Sequence, residues 1–165
     1  MKTTLYLIRQ GDALQPTPAR PQPPLSRRGV RQAEVTRDFL ALRPIDACYA
    51  SARWCAVQTA EIIAAPHEVS VQRLAALDDD NGVIDPERSA EVIEDLLDRH
   101  AGGSILLVGE RSVHLSYLAA VLHMAPEQAE AVVLEQCGIS VVVRAGAATT
   151  VTTLNAAFHL QGLAA

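Results

Sequence analysis

Leu5-Tyr6-Leu7-Ile8-Arg9-Gln10-Gly11-Asp12 is the stretch on which the fold turns. Four apolar strand formers run straight into a charged residue, an amide and a glycine. A buried parallel strand that delivers polar side chains to the rim of a sheet has this pattern. Arg9 is therefore the first candidate pocket residue.

Further strands follow it along the chain. Ile45 to Ala50 reads as a second buried strand, Val69 to Leu74 as a third, and Ser104 to Gly109 as a fourth that runs into Glu110. Helices fall between them. Ser26 is placed to cap one reaching about Leu42, with Val30, Ala33 and Leu40 on its buried face. A turn and helix span Ser51 to Ala65 and stop at Pro66. Asp85 and Pro86 open a helix to His100 that Gly102-Gly103 terminates. Ser112 is expected to cap the next, whose core stripe is Leu115, Leu118, Ala119 and Leu122. A short helix starts at Pro126, and Ile139 to Arg144 with Thr149 to Leu154 predict a hairpin around Gly146.

Pro16 to Pro24 holds five of the nine prolines. Each proline lacks a donor N–H and fixes its φ, so the segment is a stiff strap over the rim. Leu77 to Pro86 is an acidic loop with Asp78, Asp79, Asp80 and Asp85. A calcium loop needs alternating acids, a glycine and a terminal glutamate at fixed offsets, and those offsets are absent, so a solvated turn is expected and no metal. His100 reads as a helix-end residue, and His114 and His123 as structural or exposed.

The chain has 165 residues, three cysteines and a net charge of -5. One domain accommodates that length, burying roughly two thirds of its unfolded surface. No apolar run approaches a membrane span and the N-terminus lacks a signal pattern, so a soluble cytoplasmic protein with no membrane partner is expected. Cys48, Cys55 and Cys137 are far apart and should be reduced thiols. Residues 1 to 73 carry ten basic and six acidic side chains, and residues 74 to 165 four and thirteen. In one domain these halves interleave, so the asymmetry gives no nucleic-acid footprint.

Leu5 to Asp12 resembles the opening strand of the histidine phosphatase superfamily, the phosphoglycerate mutase-like proteins, whose signature there is Arg-His-Gly followed by Glu or Asp. Pro24-Leu25-Ser26 with Gly29, Gln32 and Ala33 is similar to the family's Pro-Leu-Ser-x-x-Gly-x-x-Gln-Ala. Ala56 to Ile63 is similar to its second helix, and Leu154-Asn155 with His159-Leu160 to its closing Leu-Asn-x-x-x-His-Leu. The resemblance covers residues 3 to 160. It implies a three-layer α/β/α sandwich, a mostly parallel sheet with one antiparallel edge strand, and a pocket at the C-terminal strand ends. In size the chain is similar to the small phosphohistidine phosphatases, whose open sites accept protein-borne phosphate.

The resemblance also places the family's phosphate pocket of two histidines and two arginines. Arg9 is retained. The nucleophilic histidine is replaced by Gln10, the second arginine by Cys55 with Arg53 two residues away, and the second histidine by Glu110; Asp78 is nearest to the family's additional acid. A histidine nucleophile needs an imidazole lone pair, and the amide nitrogen of Gln10 has its pair delocalised into the carbonyl. The expectation is a pseudoenzyme without catalytic residues or cofactor. Arg9 and Arg53 are left for weak phosphate or anion binding, and an Arg9 to Glu110 ion pair joins strands one and four. An alternative is a hydrolase of altered chemistry, in which Cys55, activated by a helix N-terminus and Arg9, works with Glu110. A third is a partner-binding or homo-oligomeric module using Leu115 to Val133.

Overall fold

The computed structural model describes residues 1–79 and 84–163. Asp80, in the acidic loop, lies outside the described residues. A six-stranded sheet is built from β1 (Lys2–Arg9), β2 (Ala47–Ala50), β3 (Val71–Arg73), β4 (Ser104–Gly109), β5 (Ile139–Ala145) and β6 (Ala148–Ala156), in the order β3-β2-β4-β1-β5-β6. β1 pairs in parallel with β4, which pairs in parallel with β2, and β2 with β3. The strand that runs against the others is β5, antiparallel to both β1 and β6. It sits one place in from the edge, because the hairpin returns β6 to cover it. Gly146 makes that turn at φ +61, a conformation that costs glycine little.

Helices α1 (Arg27–Leu40) and α2 (Trp54–Ala64) pack on one face, α3 (Pro86–Arg99) and α4 (Arg111–Val121) on the other, and α5 (Pro126–Glu130) follows α4. The alternation in β1 assigns the faces. Leu5 and Leu7 join Ile93, Leu96, Leu97 and Leu118 of α3 and α4, whereas Ile8 joins Ala33 and Leu40 of α1 and Ala56, Ala60 and Ile63 of α2. β4 is buried along all six residues, as a strand covered on both faces must be.

Ser26 caps α1 by accepting a hydrogen bond from the Gly29 N–H at 3.0 Å. The buried face of α1 is more polar than expected: Gln32 and Thr36 are enclosed, whereas Val30 is half-buried. Gln32 accepts from the Asp12 N–H at 2.9 Å, and Thr59 of α2 from the Gly11 N–H at 3.1 Å. Gln58 accepts from the Leu25 N–H at 2.8 Å. These side chains pair the backbone of the segment leaving β1, and so fix the strand end that carries Arg9 and Gln10. Gly29 lies so close to Asp12 that a Cβ there would run into the Asp12 carbonyl. Among the described residues no helix is long and apolar enough to cross a membrane.

Candidate functional site

β1 and β4 end side by side, with Arg9 opposite Gly109 and the Gln10 N–H donating to the Gly109 carbonyl at 3.0 Å. That register sets Gln10 beside Glu110, the residue after β4. Sequence reasoning brought these positions together correctly, but it misplaced their side chains.

Arg9 makes no ion pair with Glu110. Its Nη1 donates to the Leu134 carbonyl at 2.6 Å, while its own carbonyl accepts from the Cys137 N–H at 2.8 Å. Arg111, the first residue of α4, donates to the Val132 carbonyl at 3.0 Å. Both guanidiniums are thus anchored on the segment between α5 and β5, and Arg9 has its pKa lowered, first by burial and then by Arg111. The loop turns Arg9 away because its bare carbonyls offer acceptors that the partly buried cation needs.

Glu110 faces the other way. It is 5 % exposed, accepts from Ser51 Oγ at 2.9 Å through Oε1, and lies 3.6 Å from Arg53 Nε. Burial pushes its carboxyl up to about 7, against the Ser51 hydrogen bond and the Arg53 charge. Arg53, just before α2, also pairs with Asp79 at 3.0 Å and donates to the Asp79 carbonyl. The two-residue shift from the Cys55 position therefore brings its cation to the site, where two carboxylates already hold it.

Ser112 is not a helix cap. Glu110 occupies the N-cap position of α4 without a capping side-chain bond, and Ser112 Oγ donates to Asp79 Oδ2 at 2.7 Å. Asp78 is tied to backbone, accepting from the Ala52 N–H at 2.6 Å, so Asp79 is the acid that reaches the site.

Cys55 is 6 % exposed, and its thiol is pushed up by burial first and by Glu110 second. The expected activation by Arg9 is absent; the cation acting on it is Arg53, whose effect is outweighed. His114 is 2 % exposed, and its Nε2 lies 3.2 Å from where a Cβ on Gly109 would stand. Burial, with Arg9 adding to it, depresses its pKa to about 4, so the imidazole is neutral. Five buried side-chain atoms among the described residues lack a hydrogen-bond partner, and four of them are here: Gln10 Oε1, Arg53 Nε, Glu110 Oε2 and His114 Nε2. Buried polar atoms are usually paired, so their convergence marks the site.

Ser51, Asp79, Arg111, Ser112 and His114 were missed as site residues. Ser51 and Arg111 carried a signal, since each follows a buried strand within two residues. Asp79 and His114 carried none that separates them from a solvated turn and a core histidine. No group of three or more metal-binding side chains gathers among the described residues.

The three-layer architecture, the strand order and a polar site at the ends of β1 and β4 define a phosphoglycerate mutase-like α/β protein. The family model of the histidine phosphatase superfamily (branch 1) matches residues 5–85 and 86–157, and the chain belongs to that superfamily. Its fold is similar to that of the Entamoeba histolytica phosphoserine phosphatase solved with 3-phosphoglyceric acid, at TM-score 0.81 and 19% identity over 96% of this chain and 99% of that one. Bacillus stearothermophilus YhfR gives TM-score 0.84 and 19% identity, covering 96% and 100% of the two chains. A mycobacterial glucosyl-3-phosphoglycerate phosphatase gives 0.77 and 14%, covering 94% and 100%. No curated protein matches the sequence.

Proposed function

We propose that this superfamily domain has lost phosphotransfer and keeps its pocket as a binding or regulatory site. The observation that supports this most directly is the juxtaposition of Gln10 and Glu110 at the ends of β1 and β4, where the family resemblance calls for two imidazoles. An amide cannot carry the phosphoryl group. His114 has a free nitrogen, but the core encloses it, so an incoming phosphate has no approach.

Electrostatics adds to this. Two unit charges about 4 Å apart at an effective dielectric of about 20 interact by about 4 kcal/mol. Ionised Glu110 therefore opposes a phosphate about as strongly as Arg53 favours one, and Asp79 opposes it further. Enzymatic phosphate-monoester hydrolysis needs accelerations of up to about 10²¹. Arg9 and Arg111, each already bonded to a carbonyl, do not supply that.

A thiol nucleophile at Cys55 is disfavoured because burial and Glu110 both work against the thiolate. The reading keeps the domain soluble and cytoplasmic, without cofactor and without nucleic-acid or membrane partners. Self-association is read from gel filtration across protein concentrations.

The test is hydrolysis of p-nitrophenyl phosphate at high protein concentration. Wild type should match a mock purification, and the triple variant Gln10→His, Cys55→Arg, Glu110→His should gain turnover. Wild-type turnover that disappears in Glu110→Gln but not in Glu61→Gln, on the exposed side of α2, would defeat the proposal.

A further inference from the structure

We propose that the cavity between α1, the segment leading into β5 and the end of β6 binds an uncharged sugar ring. Its hydroxyls meet the carboxamides of Gln32, Gln136 and Asn155, and its C–H face lies on Phe158. The cavity measures about 340 Å³, and none of Arg9, Gln10, Arg53 and Glu110 lines it. Binding there is independent of whether the neighbouring site transfers phosphate.

A run of hydrogen bonds gathers the three amides. Gln32 Oε1 accepts from the Asp12 N–H at 2.9 Å, and Gln136 Nε2 donates to Oδ1 of the same residue at 3.2 Å. Asn155 Oδ1 accepts at 2.7 Å from the N–H of Glu135, the chain neighbour of Gln136. Gly138 leaves room for that oxygen, where a Cβ would collide with it. Each amide is thereby held at one end, at the cost of nothing at the other.

The other ends face the cavity. Gln32 Nε2, Gln136 Oε1 and Asn155 Nδ2 make no hydrogen bond among the described residues, yet none of them is an enclosed unpartnered atom. All three residues line the cavity, so these atoms open into it. Gln32 decides the point. It is only 5 % exposed, and a buried amide with an idle N–H calls for an acceptor.

The chemistry of the lining selects the ligand. Two amide donors and one amide carbonyl, all uncharged, are answered best by groups that accept and donate in turn, as hydroxyls do. A sugar carries several around one ring, and amides arriving from α1, the β5 approach and β6 surround such a ring. Phe158 lines the same cavity and is 82 % exposed, the most exposed aromatic side chain among the described residues. The C–H face of a sugar suits the negative face of that ring. Arg28 and Glu135 also line the cavity, but both are exposed and opposite in sign, so water screens them and they select no net charge. The volume is near the lower end of the roughly 300–1,000 Å³ of small-molecule sites, which suits a monocyclic ligand.

NMR titration of the isotope-labelled wild-type chain with glucose, galactose, mannose, ribose and N-acetylglucosamine tests this, with adenosine and cyclohexanol as comparisons. At least one sugar should bind with Kd of about 1 mM or below, at least tenfold tighter than either comparison. The side-chain amide signals of Gln32, Gln136 and Asn155 should shift saturably with it. Gln32→Met should weaken binding tenfold or more, with a melting curve reporting whether it folds. Phe158→Ala, at an exposed position that the fold does not depend on, should weaken it about tenfold, and Glu61→Gln should leave it unchanged. No saturable sugar, equal or tighter binding of adenosine or cyclohexanol, amide signals that stay in place, or wild-type affinity in Phe158→Ala each overturns the proposal. The phosphatase assay bears on the neighbouring site alone, so the two readings fail separately.

Discussion

Arg53 Nε lies 3.6 Å from Glu110 Oε1, and this ion pair joins α2 to the end of β4 in place of the Arg9 contact that the sequence led one to expect. The Arg53 side chain is partly open to solvent while Glu110 is enclosed, so the carboxylate depends more on the pair than the cation does. Arg53→Ala should destabilise the fold by about 1–3 kcal/mol near pH 8, where Glu110 is ionised and would lose its cation. Near pH 5 the loss should be smaller, because Glu110 is then protonated. Urea denaturation at the two pH values measures both, and an equal cost at each would show that Glu110 plays no part.

Glu110 and His114 should shape the pH dependence of stability in opposite directions. Glu110 titrates at about 7 in the fold against an ordinary 4.5, so its folded state is favoured below 4.5 and loses that advantage as pH rises to about 7. His114 titrates at about 4 against 6.5, so it contributes above 6.5 and loses that as pH falls toward 4. At about 1.4 kcal/mol per pH unit each effect reaches about 3 kcal/mol, and between pH 4.5 and 6.5 they largely cancel. Relative to wild type, Glu110→Gln should therefore gain stability as pH rises across this window, and His114→Gln should gain it as pH falls. Thermal melts of the three proteins at several pH values decide this; parallel curves would refute it.

The thiols should be inert in the native protein. Burial raises Cys48 and Cys137 to about 12, and Cys55 is raised as well despite its place at the start of a helix. Native alkylation by iodoacetamide near pH 8 should run at least tenfold slower at Cys55 than for a free thiol, reaching the free rate only after denaturation. Fast labelling mapped to Cys55 by mass spectrometry would instead revive a nucleophilic role.

Gly29→Ala should cost about 3 kcal/mol or more, although alanine is the better helix former. The new methyl would meet the Asp12 carbonyl, which is backbone and cannot swing aside. Because Asp12 follows the strand that carries Arg9 and Gln10, the damage should reach the site. Chemical denaturation gives the cost, and a neutral effect would mean that α1 can move off the strand freely.

Much of the fold was legible because periodicity and punctuation reported it. The Leu5 to Ile8 run, the Ser26 cap, the stop before Pro44 and the hairpin around Gly146 each follow from local backbone physics. The errors share a cause. Ser112 looked like a cap by its type and position, yet its hydroxyl is taken by Asp79, 33 residues away. Val30 was expected on the buried face of α1, yet it is half-buried while Gln32 and Thr36 are enclosed, where they satisfy backbone and a neighbouring imidazole, Thr36 Oγ1 lying 3.0 Å from His159 Nε2.

By itself the sequence determined which groups stand past the strand ends: an amide at residue 10 and a carboxylate at 110, with a thiol at 55 in the first turn of α2. These follow from chain order and strand register, which local pattern encodes. Only the tertiary structure decided where the charges go. Arg9 turns to the Leu134 carbonyl, Arg53 reaches back to Glu110, and His114 lies sealed beneath Gly109. Long side chains choose partners by burial and by the acceptors within reach, and both are set by segments distant in the chain that meet only when it folds.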